Sequence, residues 1–214
     1  MGKLATGGQT GARGGRKRPA SRVKRWSRFG QVVESDNLVF VDLSTDPDAG
    51  LATIYATRSQ APTSIIVATG REEVSLPVAA LEEGADLYLP SNLSDKHVEA
   101  QLAAIARRDK DDIPGDRQLG PLELISSRRQ ALVDGKPIEL TPHEYRALSR
   151  LMENCGQLTT FAALATALTG STSLNGSMRN SVKVAVNRLR SKLIRMGLQQ
   201  PSIRTIRGSG YLLA

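Results

Sequence analysis

One cysteine, one tryptophan and two histidines in 214 residues leave little material for several common chemistries. A single thiol, Cys155, supports neither an internal disulfide framework nor a cysteine-based zinc site. Its place at the end of a helical pattern reads as structural rather than reactive, and a reducing cytoplasm is the expected compartment. No run of about eighteen apolar residues occurs, so no membrane-spanning helix is expected. The basic N-terminus is not followed by the apolar stretch of a secretory signal. His97 and His143 each open a helical pattern with no second ligand nearby and read as surface residues. No glycine-rich phosphate loop, His-Glu metal pair or Ser-His-Asp set is present either. No catalytic residue, metal site or cofactor is therefore expected, and the chain reads as something other than an enzyme.

Positive charge is abundant and unevenly spread. Residues 1–28 carry nine Lys/Arg and no acidic residue. Residues 29–118 carry seven basic and sixteen acidic residues, and residues 119–214 carry thirteen and five. An acidic middle between two basic ends suggests that the ends meet a polyanion while the middle does something else. Residues 1–28 are rich in Gly and Arg and poor in apolar side chains, so disorder is expected there. This tail reads as a solvated extension, which an upstream start codon would also produce, or as a non-specific nucleic-acid arm. Trp26 and Phe29 read as the beginning of the fold.

In the middle, three apolar runs (Leu38-Val39-Phe40-Val41, Ser64–Thr69 and Asp86–Leu89) alternate with helical patterns at 49–59, 72–83 and 94–108. Continuous apolar strands between amphipathic helices predict a parallel sheet covered on both faces. Ligands and chemistry in such sheets gather at the carboxyl ends of strands, where Asp42 and Thr69 stand. Residues 109–118, charged and containing Pro114 and Gly115, read as a linker.

The C-terminal part carries the most specific pattern. Strand-like runs at 122–125 and 131–133 lead to a hairpin turn at Asp134-Gly135. Thr141-Pro142-His143-Glu144 is a capping box with proline at the first helical position. A second helix contains Phe161, Leu164, Ala165 and Leu168. A third begins near Ser177, with Val182, Val186, Leu189 and Leu193 forming its buried stripe. Asn180, Lys183, Asn187 and Arg190 fall on a different face, with Arg179 and Ser181 at its start. Long basic and amide side chains of this kind reach phosphates and base edges in a major groove. One basic helix alone would be an ordinary solvated face. The Gly-hinged hairpin that follows, Arg204-Thr205-Ile206-Arg207-Gly208-Ser209-Gly210-Tyr211, favours the nucleic-acid reading.

Residues 119–214 closely resemble the winged-helix effector domain of OmpR/PhoB response regulators. Arg188-Leu189-Arg190-Ser191-Lys192-Leu193 and the segment 203–211 carry the resemblance. It implies that Ser181, Asn187 and Arg190 face the groove and that Arg207 is the wing arginine entering the minor groove. Thr205 and Tyr211 would contact the DNA backbone; Arg188 also matches, with internal pairing as its alternative. Asn180 replaces the usual arginine, beside Arg179, while Lys183 replaces an acid and Ala185 a histidine. A different sequence preference is therefore expected. RNA polymerase is a further partner the family implies, although the loop 170–177 lacks its usual tryptophan.

Residues 30–108 resemble the receiver domain of the same family. Asp42 matches the phospho-accepting aspartate and Thr69 the switch hydroxyl. The clamping lysine of the family is replaced by Ser91 and the following proline by Asn92. Only about fifteen residues expected to be ordered precede Asn37, too few for the family's metal-holding strand, its helix and a second strand, and Glu34 and Asp36 lie at the wrong end of the sheet. Phosphoryl transfer to a carboxylate needs a cation to offset developing charge, so Asp42 and Thr69 are expected to be vestigial. Haloacid-dehalogenase phosphatases also have a strand ending in Asp, but need a second acid where Ser44 stands.

The expected architecture is a basic tail (1–28), an incomplete α/β receiver-like domain (29–108), a linker (109–118) and an α+β winged-helix domain (119–214). The expected function is phosphorylation-independent, sequence-specific binding of double-stranded DNA in the bacterial cytoplasm and nucleoid. Binding is expected on repeated half-sites as a homodimer formed through the receiver-like domain. Two alternatives are a conventional regulator phosphorylated on Asp42 and a non-specific nucleoid or RNA-binding protein driven by the tail.

Overall fold

The computed structural model describes residues 38–73, 75–110, 115–170 and 175–214. The basic tail, Trp26, Phe29, Glu34 and Asp36 lie outside the described residues, as do four linker residues, 111–114. Strands β1 (Leu38–Asp42), β2 (Ile65–Gly70) and β3 (Leu87–Pro90) form a parallel sheet in that order. All six residues of β2 are buried, as suits a central strand covered on both faces. Helices α1 (Pro47–Gln60) and α2 (Ser75–Glu83) cover one face, where Ile54, Leu76, Ala80 and Leu81 meet Val41, Ile66, Ala68 and Tyr88. Helix α3 (Asp95–Lys110) brings Val98, Leu102 and Ile105 to the other face, against Ile65, Val67, Leu87 and Leu89. Asp46 caps α1 by accepting a hydrogen bond from the Ala49 amide at 3.0 Å, followed by Pro47 at the first helical position.

The C-terminal half opens with an antiparallel sheet of β4 (Arg117–Leu119), β5 (Leu122–Ile125), β6 (Gln130–Val133) and β7 (Lys136–Ile138). Asp134 and Gly135 have φ of 51° and 71°, the left-handed pair that a tight two-residue hairpin demands. Arg117 and Gln118, expected in the linker, pair instead with Leu124 and Glu123, and α3 runs to Lys110. A charged composition therefore hid both ends of that segment, since edge pairing and a solvated last helical turn need no apolar periodicity.

Helices α4 (Pro142–Glu153), α5 (Phe161–Thr169) and α6 (Gly176–Arg195) follow. Strand β8 (Leu158–Thr160) then pairs with the closing hairpin of β9 (Ile203–Ile206) and β10 (Gly210–Leu213), in the order β8-β10-β9. Leu148, Leu151, Leu164, Leu168, Val182, Val186, Leu189 and Leu193 meet in one core. Each such buried side chain contributes roughly 1.5–3 kcal/mol by its removal from water. The capping box is present in full: Thr141 Oγ1 accepts from the Glu144 amide at 3.2 Å and Glu144 Oε2 from the Thr141 amide at 2.9 Å. Strand β8 was not legible in advance, because Thr160 serves both as its last residue and as the cap of α5. Gly210 lets β10 pass close to β8; a Cβ there would stand 2.1 Å from the Thr159 carbonyl oxygen.

Urea unfolding should therefore rank two variants. Thr141→Ala, which loses one half of the capping box, should cost roughly 0.5–2 kcal/mol. Gly210→Ala should cost more, because the atom it would strike belongs to the backbone and cannot rotate away.

Candidate nucleic-acid interface

Helix α6 presents three faces. Met178, Val182, Val186, Leu189 and Leu193 pack into the winged-helix core. Asn180, Lys183, Asn187 and Arg190 form the expected polar face, with Lys183 and Asn187 exposed. Arg190 ties this face to the wing, its Nη2 donating to Thr205 Oγ1 at 3.0 Å and its Nε to the Ile203 carbonyl at 3.1 Å. Arg207 is exposed at the tip between β9 and β10, beside Gly208 at φ 76°. Arg190 thus links Asn187, one turn beyond Lys183, to Thr205, which precedes the wing-tip Arg207 by two residues.

Three expected contact residues stand elsewhere. Tyr211 is 3% exposed and packs edge-on against Phe161, ring centroids 5.4 Å apart, so its ring is core. Burial raises its phenol pKa above the ordinary value. Arg179 lies over the other ring of that pair, 4.8 Å from the Phe161 centroid, a cation–π contact that orients the start of α6. Ser181 is 1% exposed, with no hydrogen-bond partner for its hydroxyl among the described residues.

Ser181 is buried because the third face of α6, the stripe Ser177, Ser181, Val184 and Arg188, lies against the receiver-like half. Ser177 donates its hydroxyl to the Tyr88 carbonyl, and Val184 packs on the cluster beneath α1 and α2. The Arg188 guanidinium reaches the Leu81 carbonyl, and the Glu82 and Gly84 carbonyls each at 3.4 Å. Leu81 and Glu82 lie in the last turn of α2, whose carbonyls have no partner within their own helix. An arginine of the winged-helix domain therefore closes off a helix of the other half, where the helix dipole also favours a cation.

The receiving edge is itself braced. Arg58 donates to the Gly84 carbonyl at 2.8 Å and to Asp86 Oδ2 at 2.6 Å, while the Ile66 amide donates to the same carboxylate oxygen at 2.8 Å. Next to Asp86, across the seam, lies His143 of α4. Contrary to the surface position expected for it, His143 is 1% exposed. Burial is the main cause of its low pKa, about 4; Asp86 opposes the shift, and Arg146 and Arg58 add to it. Nothing in the sequence near His143 foretold this, because its neighbours come from another part of the chain.

At the far end of the parallel sheet, Asp42 and Thr69 are register partners at the strand termini. Each side chain has its own local partner. Thr69 donates its hydroxyl to the Leu89 carbonyl at 2.7 Å, and Asp42 accepts from the Ser44 amide at 2.8 Å. Ser91 is exposed there, in the lysine position. The phenol of Tyr88, bonded to the Arg71 carbonyl at 2.6 Å, is pushed up to about 12 by burial and then by Glu73, Asp42 and Glu72. Negative charge thus collects at this corner. Cys155, at the end of α4, is exposed rather than packed as a structural thiol would be.

Comparison with known proteins agrees with this arrangement. Residues 135–213 match the family model described as transcriptional regulatory protein, C terminal. The two-component response regulator PhoP of Pseudomonas aeruginosa is 35% identical over 177 residues, covering 82% of this chain and 77% of that protein. The chain belongs to the OmpR/PhoB type of response regulators. The transcriptional regulatory protein PmrA of Pectobacterium parmentieri is 32% identical over 180 residues, 83% of this chain and 77% of the relative. Among solved structures, a mutant of RitR superposes with a TM-score of 0.57 at 23% identity, over 83% of this chain and 78% of that one. At that identity the likeness concerns the fold, a receiver-like parallel sheet followed by a winged helix. As a member of this family the chain is a DNA-binding regulator of transcription.

The brace behind the seam can be checked directly. Asp86→Ala would leave the Arg58 guanidinium, held in a largely buried site, without its carboxylate. Removing one partner of such a pair should cost about 3 kcal/mol in urea unfolding.

Proposed function

We propose that this response regulator binds duplex DNA sequence-specifically through α6 and its wing, as a dimer on half-sites about one helical turn apart, without phosphorylation of Asp42. The observation that carries this reading is the connected face of Lys183, Asn187, Arg190, Thr205 and Arg207. Its amide and cationic groups suit base edges and phosphates, and the Arg190–Thr205 bond fixes the helix relative to the wing. Asn180, partly exposed on the same face, extends it toward the flanking phosphates.

Self-association would use the surface of the receiver-like half left free by the winged-helix half, whose α5 and α6 meet α3, β3 and α2. Contact with RNA polymerase would involve the loop 170–177, half of which lies outside the described residues. The site of action would be the bacterial cytoplasm, on the nucleoid.

Enrichment of bound duplexes from a random pool, followed by affinity measurements at fixed salt, tests the function. Arg207→Ala should weaken binding by roughly 1–3 kcal/mol, with a loss that varies with minor-groove width. Lys183→Ala and Asn187→Ala should alter which sequences are enriched. Equal weakening on every sequence would reduce α6 to a phosphate anchor.

Asp42 is the second test. An aspartyl phosphate would add charge beside Glu72 and Glu73 with Ser91 in place of the clamping lysine, an uncompensated cost that opposes its formation. The protein treated with acetyl phosphate and Mg²⁺ should stay unmodified by mass spectrometry, and Asp42→Asn should leave DNA affinity unchanged. A stoichiometric phosphate on Asp42, absent from the Asn variant, would establish the conventional phosphorylated regulator instead.

A further inference from the structure

We propose that the receiver-like half is an acid-released latch on the DNA-reading helix, closed near neutral pH and opened by protonation of His143. The proposal rests on the DNA-binding reading above, but its decisive measurement involves no DNA.

Closure is visible in the contacts of α6. A helix entering a major groove about 12 Å wide and 8.5 Å deep must have both flanks free. One flank of α6, from Ser177 to Arg188, is occupied by the end of β3 and the last turn of α2. The helix cannot seat in a groove while that contact lasts, so the two halves must part first. Opening costs few specific bonds. The carbonyls of Leu81, Glu82 and Gly84 can turn to water, and Arg188 is released next to the face that would meet phosphates. Opening does expose apolar surface, because α3 meets α5 within one continuous core and Val184 of α6 packs on the cluster beneath α1 and α2.

His143 sits where this seam closes. Its Nδ1 is 3.9 Å from Asp86 Oδ1, beyond hydrogen-bond length, and neither ring nitrogen has a hydrogen-bond partner among the described residues. The groups facing it come from every packed element: Asp86 before β3, Arg58 from α1, and Arg146 on its own α4. Arg188 of α6 and Glu144 of α4 act on the same cluster. The Asp86 carboxylate is already engaged by Arg58 and the Ile66 amide. A proton on His143 would therefore enter a dry site with two arginines about it and one carboxylate already taken.

The sign follows from the two states. Closed, the imidazole is held at about 4; open and solvated, it returns to about 6.5. The open state binds the extra proton, so closure is favoured above about 6.5 and is progressively lost as pH falls from there toward about 4. Between neutrality and pH 5.5 the open fraction should rise about tenfold.

Ser181, covered by the latch, supplies the reporter. In the full chain, Ser181→Cys places a near-isosteric thiol under the receiver-like half, while Cys155 remains as an exposed reference. Labelling by dithiodipyridine, read by peptide mass spectrometry, gives the ratio of the two rates, which cancels the pH dependence of thiol reactivity. The ratio should rise about tenfold from pH 7.5 to 5.5, and His143→Phe should abolish the rise. A ratio independent of pH, or a rise equal in both proteins, overturns the latch.

Should the Phe variant fold poorly, proton NMR of the otherwise native chain decides, since His97 is the one other imidazole. Titration of His143 near 4 supports the proposal, and titration near 6.5 in the free protein overturns it. An acid-responsive ratio in a protein that enriches no duplex would sink the DNA-binding function and leave the latch standing.

Discussion

The arrangement depends on one guanidinium crossing from one half of the molecule to the other. The carbonyls of the last turn of α2 have no partner within the helix; the Gly84 amide takes that of Leu81 from just beyond it, and Arg188 from α6 adds to Leu81 and reaches Glu82. A surface helix of a globular protein usually divides its circumference between core and water. Here α6 serves three neighbours: the winged-helix core, the receiver-like half and the open polar face. The middle claim on the helix is the weakest, being made of carbonyl contacts and one valine, whereas the core stripe is five large apolar side chains. When the contacts of α6 yield, the receiver side must yield first.

Much of the winged helix was legible because its signals are local. The capping box at Thr141–Glu144, the Asp-Gly turn and the core spacing of α6 each act within a few residues, and the structure contains all three. The parallel sheet was legible for a related reason, since a strand buried on both faces reads as an unbroken apolar run. The polar face of α6 was legible from the same periodicity that located the core stripe. What stayed hidden depends on contacts distant in sequence. Ser181 and Tyr211 match positions that would touch DNA, yet one is covered by the other half and one packs on Phe161. His143 was hidden for the same reason. One signal was available: Val184 is apolar yet lies off the core stripe, and an apolar residue on a polar flank asks for a second packing partner.

Charge gives the two halves a further relation. The acidic middle of the chain is the segment folded against the basic helix, so the surface that meets α6 in the closed molecule shares its sign with a nucleic acid. Attraction between exposed charges falls off over about 8–10 Å at ordinary ionic strength. Such a field can bias how the halves meet without fixing their geometry, which rests on the shorter contacts of Arg188, Ser177 and Val184.

The stacking of Arg179 on Phe161 and of Phe161 on Tyr211 has its own consequence. Tyr211 belongs to the hairpin, Phe161 opens α5, and Arg179 stands on the first turn of α6. Together with the bond from Arg190 to Thr205, these contacts make helix and wing the two jaws of a caliper set to one opening. A caliper measures the object and does not adapt to it. A duplex gripped by both jaws must supply the matching distance between adjacent grooves, and base steps that widen or compress easily would be chosen for their mechanics as well as their letters.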